Sequence, residues 1–539
     1  LNYGSEYGWF IATGRSNFTD TRCHLLWTSN PGVSSAPAAH REFLEARRSG
    51  MKLIVVDPRR TEIARTADLH LQLRPGTDGA LALGMLHVIL NEDLYDHAFA
   101  TDWTTGFDQL QTLTAQYPPE KAADITGVPA ETIRDAARLY AQSKPAKLQI
   151  SACATVHATN GVQNHRAILL LPAMTGNLDI PGGNMLPPPA APTGNITLFD
   201  EKIPTLKPRA GSETHPVWTS LYPEAQANAV IEQILTEKPY PIKALVGVGA
   251  NVMIWPNTER VVTALNKLDF ISVIDYFRTP TTDMAHVVLP AATWLERAAL
   301  ITRPGGAVRL REPVVEPLGE AWPDWKFLME LGIRLGYGER MWHGDLDACM
   351  NEILHPSGLT VDQLRDHPEG IRVSVPPRTP KSYETQRFAT PSGKVEIHSA
   401  ILEKYGYDPL PVYREPAESP VATPELAERF PLVLTTGGRS KAYTHSQFRQ
   451  IPALRKLMPD PLIQIHPTDA AARGIVEGSP VTVSSRRGSI QVKATLTEDM
   501  LPGVVHLYHG WPEANANLLT DDQGSDPISG FAPFKSGLC

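Results

Sequence analysis

The chain has 539 residues, 58 acidic against 50 basic side chains, a net charge of −8, and 42% hydrophobic with 20% charged residues. That length exceeds a single core and predicts three or four domains of ordinary globular composition. The acidic balance disfavours a general nucleic-acid surface. No apolar run reaches the roughly 18–20 residues of a membrane span.

The first 180 or so residues alternate strands and helices. Cys23–Trp27 reads as a short apolar strand that ends at Thr28-Ser29-Asn30-Pro31-Gly32. A helix over Pro37–Arg48 stops at Gly50. Lys52–Val56 is a continuous apolar, β-branched run, as in a parallel strand buried on both faces, and ends at Asp57-Pro58-Arg59-Arg60. Leu69–Leu73 is a third strand, ending at Arg74-Pro75-Gly76-Thr77-Asp78, from which a long helix runs to about Leu90. Pro129–Gln142 is an amphipathic helix with Ile133, Ala137 and Tyr140 on one face. Leu148–Ala154 is strand-like, and Ile168–Ala173 is a core segment. This alternation predicts a doubly wound parallel sheet.

Ile242–Val248, Phe270–Ile274 and Val287–Pro290 repeat the theme and predict a second α/β sheet. Residues 374–424 are proline-rich and read as a linker. From Phe430 the pattern turns to strands, Val481–Ser485, Ile490–Leu496 and Val504–Tyr508, with Arg487-Gly488 as a hairpin turn. The predicted fold is α/β plus β, two doubly wound α/β domains followed by a β-barrel-like domain. Its boundaries are 1–185, 186–340, a proline-rich region 341–425, and 426–539. No short-period repeat is evident.

Cys23, Cys153, Cys349 and Cys539 form no C-x-x-C pair, so neither a disulfide framework nor a cysteine-built metal site is expected. Leu1 and Cys539 at the two ends lead us to expect a piece of a longer chain.

The chemistry sits at strand ends. In an open parallel sheet, ligands bind beyond the carboxyl ends of the strands. Ser29-Asn30-Pro31, Asp57-Pro58-Arg59 and Gly76-Thr77-Asp78 all fall there. Asp57 could accept from ribose hydroxyls and Asp78 from purine N–H groups. Alternatively, Asn30 and Asp78 are helix caps and Asp57 a turn residue. No G-x-G-x-x-G is present, so an ordinary NAD site matches poorly.

Six segments in order carry a resemblance. They are Asn30-Pro31 with Asp57-Pro58-Arg59-Arg60-Thr61, Ala67-Asp68 and Arg74-Pro75-Gly76-Thr77-Asp78; Met174-Thr-Gly-Asn177 with Pro181-Gly-Gly-Asn184; residues 271–290; Phe388-x-Thr390-Pro391-Ser-Gly393-Lys394; His445-Ser446-Gln447-x-Arg449; and Asn517-Leu-Leu-Thr520. Together they resemble the catalytic subunit of bis-molybdopterin (dimethyl-sulfoxide-reductase-type) oxidoreductases over nearly the whole chain.

The resemblance implies two molybdopterin guanine dinucleotides holding molybdenum or tungsten. One would lie at Asn30, Asp57, Arg59, Gly76 and Asp78, and the other near Gly249, Asn251, Asp275 and Thr279. The last domain would cover the pterins through His445, Ser446 and Asn517. His157 falls close to the metal in the family and is the one candidate catalytic residue; a structural polar contact is the alternative. His506, His509 and Trp511 could line the active-site wall. His286 stands where the family has aspartate, a departure expected to loosen a structural hydrogen bond.

The family's cysteine-rich segment for a 4Fe–4S cluster and its protein ligand to the metal find no match, and both are expected upstream of Leu1. Cys23 opens a buried strand and is not expected to bind metal. The second sheet is expected to have an abnormal edge for the same reason. The implied activity is two-electron oxidation or reduction, or oxygen-atom transfer, on a small-molecule substrate, with electrons leaving through an iron–sulfur subunit. A non-redox hydratase or transhydroxylase, or a non-catalytic cofactor-binding chain, are the alternatives. Substrate and compartment, cytoplasmic or periplasmic, are not readable.

Overall fold

The structure is a computed structural model that describes residues 1–4, 18, 20–34, 37–151, 155–196, 207–222, 224–438, 440 and 442–539. Cys153 and the end of the strand expected over Leu148–Ala154 lie outside these residues. No helix among the described residues is long and apolar enough to cross a membrane.

Four parallel strands form the first sheet, in the order Leu69–Leu71, Lys52–Val56, Cys23–Trp27, Ala146–Ile150. Side chains alternate between its faces. Leu25, Trp27, Ile54 and Val56 enter a core shared with the helices Asp78–Asn91, Ala130–Gln142 and Gly161–Met174. Leu26, Leu53 and Val55 enter another with Phe43 of the helix Pro37–Arg48. All seven strand side chains are fully buried. This is why the strands read as continuous apolar runs rather than as alternation. Asp68 locks the amino end of the second strand. Its Oδ2 accepts the Leu53 N–H at 2.8 Å and pairs with Arg47 at 2.7 Å.

The second sheet has three parallel strands, Ala244–Val248, Phe270–Asp275 and Val287–Pro290. Leu245, Ile271 and Val273 pack against the helices Ala227–Thr236 and Thr258–Leu265. On the other face Ser272 and Ile274 of the middle strand are buried, and the positions around them are open. Val246 is 44% exposed, Phe270 41% and Val287 40%. The hydrogen bond expected to loosen at His286 is intact, because Nδ1 accepts the Ile271 N–H at 3.0 Å. A neutral imidazole supplies that acceptor as a carboxylate would.

After it comes a small antiparallel sheet, Ala299–Arg303, Ala307–Arg311 and Ile371–Arg372, packed on the helices Leu346–Leu354 and Val361–Asp366. The proline-rich stretch expected as a linker is anchored along part of its length. Tyr383, Phe388, Val395 and Ile397 enter the first core. Val395–Glu396 pairs in parallel with Thr104–Thr105.

The last unit is a mixed six-stranded sheet in the order Pro480–Ser484, Ser489–Leu496, Leu462–Ile465, Val504–Leu507, Val433–Thr436, Gly537–Leu538. Ser484 pairs with Ser489, so Arg487 lies in the expected hairpin turn. The first and last strands of that order are not paired with each other, so the sheet remains open where a closed barrel was expected.

Candidate cofactor-binding site

Because the strands of the first sheet are parallel, Thr28, Asp57 and the Gly76–Asp78 loop emerge on one edge. Thr28 has φ +48°, a left-handed backbone that costs energy for a β-branched residue, and its buried Oγ1 has no hydrogen bond. Asn30 Nδ2 donates to Glu62 at 3.3 Å. Asp57 Oδ1 accepts the Arg59 N–H at 2.8 Å, which closes the turn. Burial pushes the Asp57 carboxyl up, against the pull of Arg59, His70 and Lys535. Gly76 has φ +85° and faces the Pro416 ring where a side chain would stand. Asp78 opens the helix Asp78–Asn91, and its Oδ1 accepts the Trp27 indole N–H at 2.8 Å. Arg74 grips both Glu415 oxygens, at 2.5 and 2.8 Å, and so ties the 413–418 segment to this loop.

The last unit closes over this edge. Lys535 Nζ donates to the Thr436 carbonyl. At Gly438, a β-carbon would overlap the His506 ring and crowd Arg59, so only glycine fits. Thr435 Oγ1 donates to the Val505 carbonyl and lies 3.0 Å from His506 Nδ1. The hydroxyl has one proton, so Nδ1–H donates to it and Nε2 is left as an acceptor. That Nε2 is buried without a hydrogen bond, as is Ser536 Oγ beside Gly76. Burial, with Arg59 and Lys535 nearby, holds His506 well below its ordinary pKa and neutral.

His157 reaches the same unit. Its Nδ1 lies 3.2 Å from the Ala532 carbonyl, and its ring packs against Phe531 and Phe534. Burial, reinforced by Lys535, lowers its pKa to about 4. At neutral pH the ring is uncharged and its Nδ1 donates.

Gly249, Asn251, Asp275 and Thr279 gather at the equivalent edge of the second sheet. Gly249 has φ +59° and open space around it. Asp275 Oδ1 accepts from the Tyr276 N–H at 2.7 Å. Thr279 and Thr282 form a reciprocal capping box. Asn251 Nδ2 donates to Ser446 Oγ at 2.7 Å. The adjacent His445, with φ +56°, pairs its Nδ1 with His509 Nε2 at 2.7 Å. Asn517 donates to the Ile254 carbonyl at 2.5 Å and accepts from Thr520. Asn515 donates to the Met253 carbonyl at 2.8 Å. The twelve candidate binding residues thus divide between two crevices, each closed by the same β-rich unit.

Residues 1–334 match the family described as Molybdopterin oxidoreductase, and residues 432–538 match the Molydopterin dinucleotide binding domain. The chain belongs to the molybdopterin oxidoreductase family. It is 32% identical to the acetylene hydratase of Syntrophotalea acetylenica over 97% of this chain and 77% of that one. It is 32% identical to the F420-dependent formate dehydrogenase subunit alpha of Methanocaldococcus jannaschii, over 93% of this chain and 73% of the relative. The solved acetylene hydratase from Pelobacter acetylenicus superposes with a TM-score of 0.89 at 30% identity, covering 99% of this chain and 80% of that structure.

Membership makes the protein an enzyme of molybdopterin-dependent chemistry, with molybdenum or tungsten as the metal. The residues present fit such a group. Buried polar atoms rarely lack partners, and three of the partnerless ones, Thr28 Oγ1, Ser536 Oγ and His506 Nε2, line the first crevice. Lys535 and Arg59 supply positive charge there. Among the described residues, no three His, Cys, Asp or Glu side chains cluster as a metal site. Cys23 lies inside the first core, and burial pushes its thiol up to about 12. Its thiolate is strongly disfavoured there.

Trp27, Gly438, Lys535 and Ser536 were not singled out from sequence. Lys535 had a signal, as the one Lys or Arg after Lys493. Trp27 had none, because an aromatic inside an apolar strand reads as core.

Proposed function

We propose that this enzyme binds two molybdopterin guanine dinucleotides sharing one molybdenum or tungsten ion. One would occupy Asn30, Asp57, Arg59, Gly76 and Asp78, the other Gly249, Asn251, Asp275 and Thr279. The supporting observation is the pair of strand-end crevices, both closed by the domain that matches dinucleotide binding, through Asn251–Ser446 at one and Gly438 and Met500 against Arg59 at the other. Asp57 and Asp78 offer carboxylate acceptors to ribose and purine donors. Arg59 and Lys535 offset pyrophosphate charge, and neutral His506 presents Nε2 to a donor. When bound, the metal supplies two-electron oxidation, reduction or oxygen-atom transfer on a small-molecule substrate. Within that site His157, held neutral and oriented by Ala532, is positioned to accept or share a proton at Nε2. Electron exchange calls for an iron–sulfur partner, a role supported by a relative being a formate dehydrogenase subunit.

The test is composition. Protein isolated from a host that makes the cofactor should release two guanine nucleotides per metal after acid hydrolysis. One per metal, or none, overturns the reading. Asp78→Ala should lower guanine occupancy, since a charge-assisted hydrogen bond is worth about 1.5–3 kcal/mol.

A hydratase is the second reading, favoured by the acetylene hydratase relatives. The fold hosts both chemistries, so assay decides. Turnover with reduced viologen and oxo-acceptors, or with an oxidised dye and a donor, supports the redox reading. Water addition to an alkyne without an electron acceptor supports the hydratase.

A further inference from the structure

Trp27 is the last residue of its strand, and its ring is fully buried in the first core. It is among the largest fully buried side chains of the protein, so the indole cannot swing. Its one polar atom, a donor only, meets Asp78 Oδ1 at 2.8 Å. Asp78 is 6% exposed, at the crevice edge. The terminal torsion of an aspartate is soft, and the carboxylate plane would otherwise wander.

We infer that Trp27 is a positioning residue for base recognition: its indole N–H fixes the Asp78 carboxylate so that its remaining lone pairs accept the paired N–H groups of guanine. This rests on the dinucleotide reading above. Guanine presents two adjacent donors, N1–H and N2–H, which a fixed carboxylate accepts together. Adenine and cytosine present a donor beside a lone pair, and that lone pair would face the carboxylate oxygen. The fixed plane therefore selects the base by repulsion as well as attraction. A freely rotating carboxylate would meet a single amino donor from any of the three. Burial raises the Asp78 pKa to about 6, while the Trp27 hydrogen bond pulls it down and Asp57 pushes it up. Loss of the indole N–H should therefore favour protonation, and a protonated acid loses an acceptor site.

The experiment replaces Trp27 in the full chain, expressed in a cofactor-producing host. Trp27→Phe removes the donor and some volume. Incorporation of 3-benzothienylalanine at position 27 removes the donor while keeping the shape, so it decides the matter if Trp27→Phe folds poorly. Guanine, adenine and cytosine released per chain are measured, as is the pH at which half the nucleotide is lost. Guanine should fall by up to about half, because only one of two crevices is affected. The half-loss pH should rise by about one unit. Asp78→Asn should lose as much guanine, and combining it with either Trp27 replacement should cost nothing further. Unchanged guanine content and half-loss pH in the benzothienyl protein, with Asp78→Asn still deficient, overturns the inference alone. Additive losses in the combined variant overturn it too. Absence of guanine from the unmodified protein overturns the dinucleotide reading and this inference with it.

Discussion

The two parallel sheets carry one local design in different surroundings. Asp57 and Asp275 each end a strand, and Thr61 and Thr279 each follow four residues later. Eleven residues after each aspartate stand Asp68 and His286. Asp68 accepts the N–H of Leu53, and His286 that of Ile271, four residues before the aspartate in both cases. Around this shared frame the packing differs. The first sheet is buried on both faces, whereas the second leaves Val246, Val248, Phe270 and Val287 in solvent. Local geometry at a strand end is thus set by a handful of hydrogen bonds, whereas stability depends on what covers the faces.

The largest expected effect comes from cutting the covered sheet. Leu53→Ala should destabilise by about 2–5 kcal/mol, the range for truncating a fully buried leucine. Val246→Ala, on the open face, should stay within about 0.5 kcal/mol. Denaturant unfolding followed by amide exchange in each sheet measures both, and equal costs would break the contrast.

Acidification should separate the two crevices next. His157 and His506 have folded pKa values below the ordinary histidine value, so each adds stability that is present above about pH 6.5 and lost as pH falls toward the folded value. The slope per group is at most about 1.4 kcal/mol per pH unit. The Thr436 and Phe534 amides, bonded to the Phe534 and Ala532 carbonyls, should lose protection between pH 6.5 and about 4, the folded value for His157. Those at Ile254 and Asn257, bonded to the Asn251 and Thr520 carbonyls, should not.

The strand-end locks come third. Asp68→Ala leaves the Leu53 N–H without its acceptor and Arg47 without its carboxylate partner, at a cost of about 1–3 kcal/mol. His286→Asp preserves an acceptor and should change stability by less than about 0.5 kcal/mol. Exchange at the Leu53 and Ile271 amides reports each lock; loss of Ile271 protection in His286→Asp would show that the ring has another role.

Smallest in stability is the effect of charging the open face. Val246→Lys with Val287→Lys should leave unfolding unchanged within about 0.5 kcal/mol yet reduce self-association seen by light scattering. A loss of stability instead would mean that the face is covered in solution.

Much of this was legible in order along the chain. Continuous runs such as Lys52–Val56 announced buried parallel strands, and the order of the chain placed Asp57, Gly76 and Asp78 after them, at one edge of the sheet. The proline-rich stretch misled, because proline reports the lack of a ladder donor and not the absence of packing. Tyr383, Phe388, Val395 and Ile397 join the first core across it. His286 misled in a milder way, since a letter that departs from a pattern can still deliver the same acceptor atom.

By itself the sequence determined the periodicities, and hence the strands, the helices and the turns that place Asp57, Asp78, Gly249 and Asp275 at strand ends. Those features depend on neighbours within a few residues. Only the tertiary structure decided that Lys535, His506 and Ser536 close the first crevice, that Asn251 meets Ser446, and that Trp27 reaches Asp78. These contacts join residues tens to hundreds of positions apart, and their cause is the burial of shared apolar faces, which brings polar atoms together that no local pattern links.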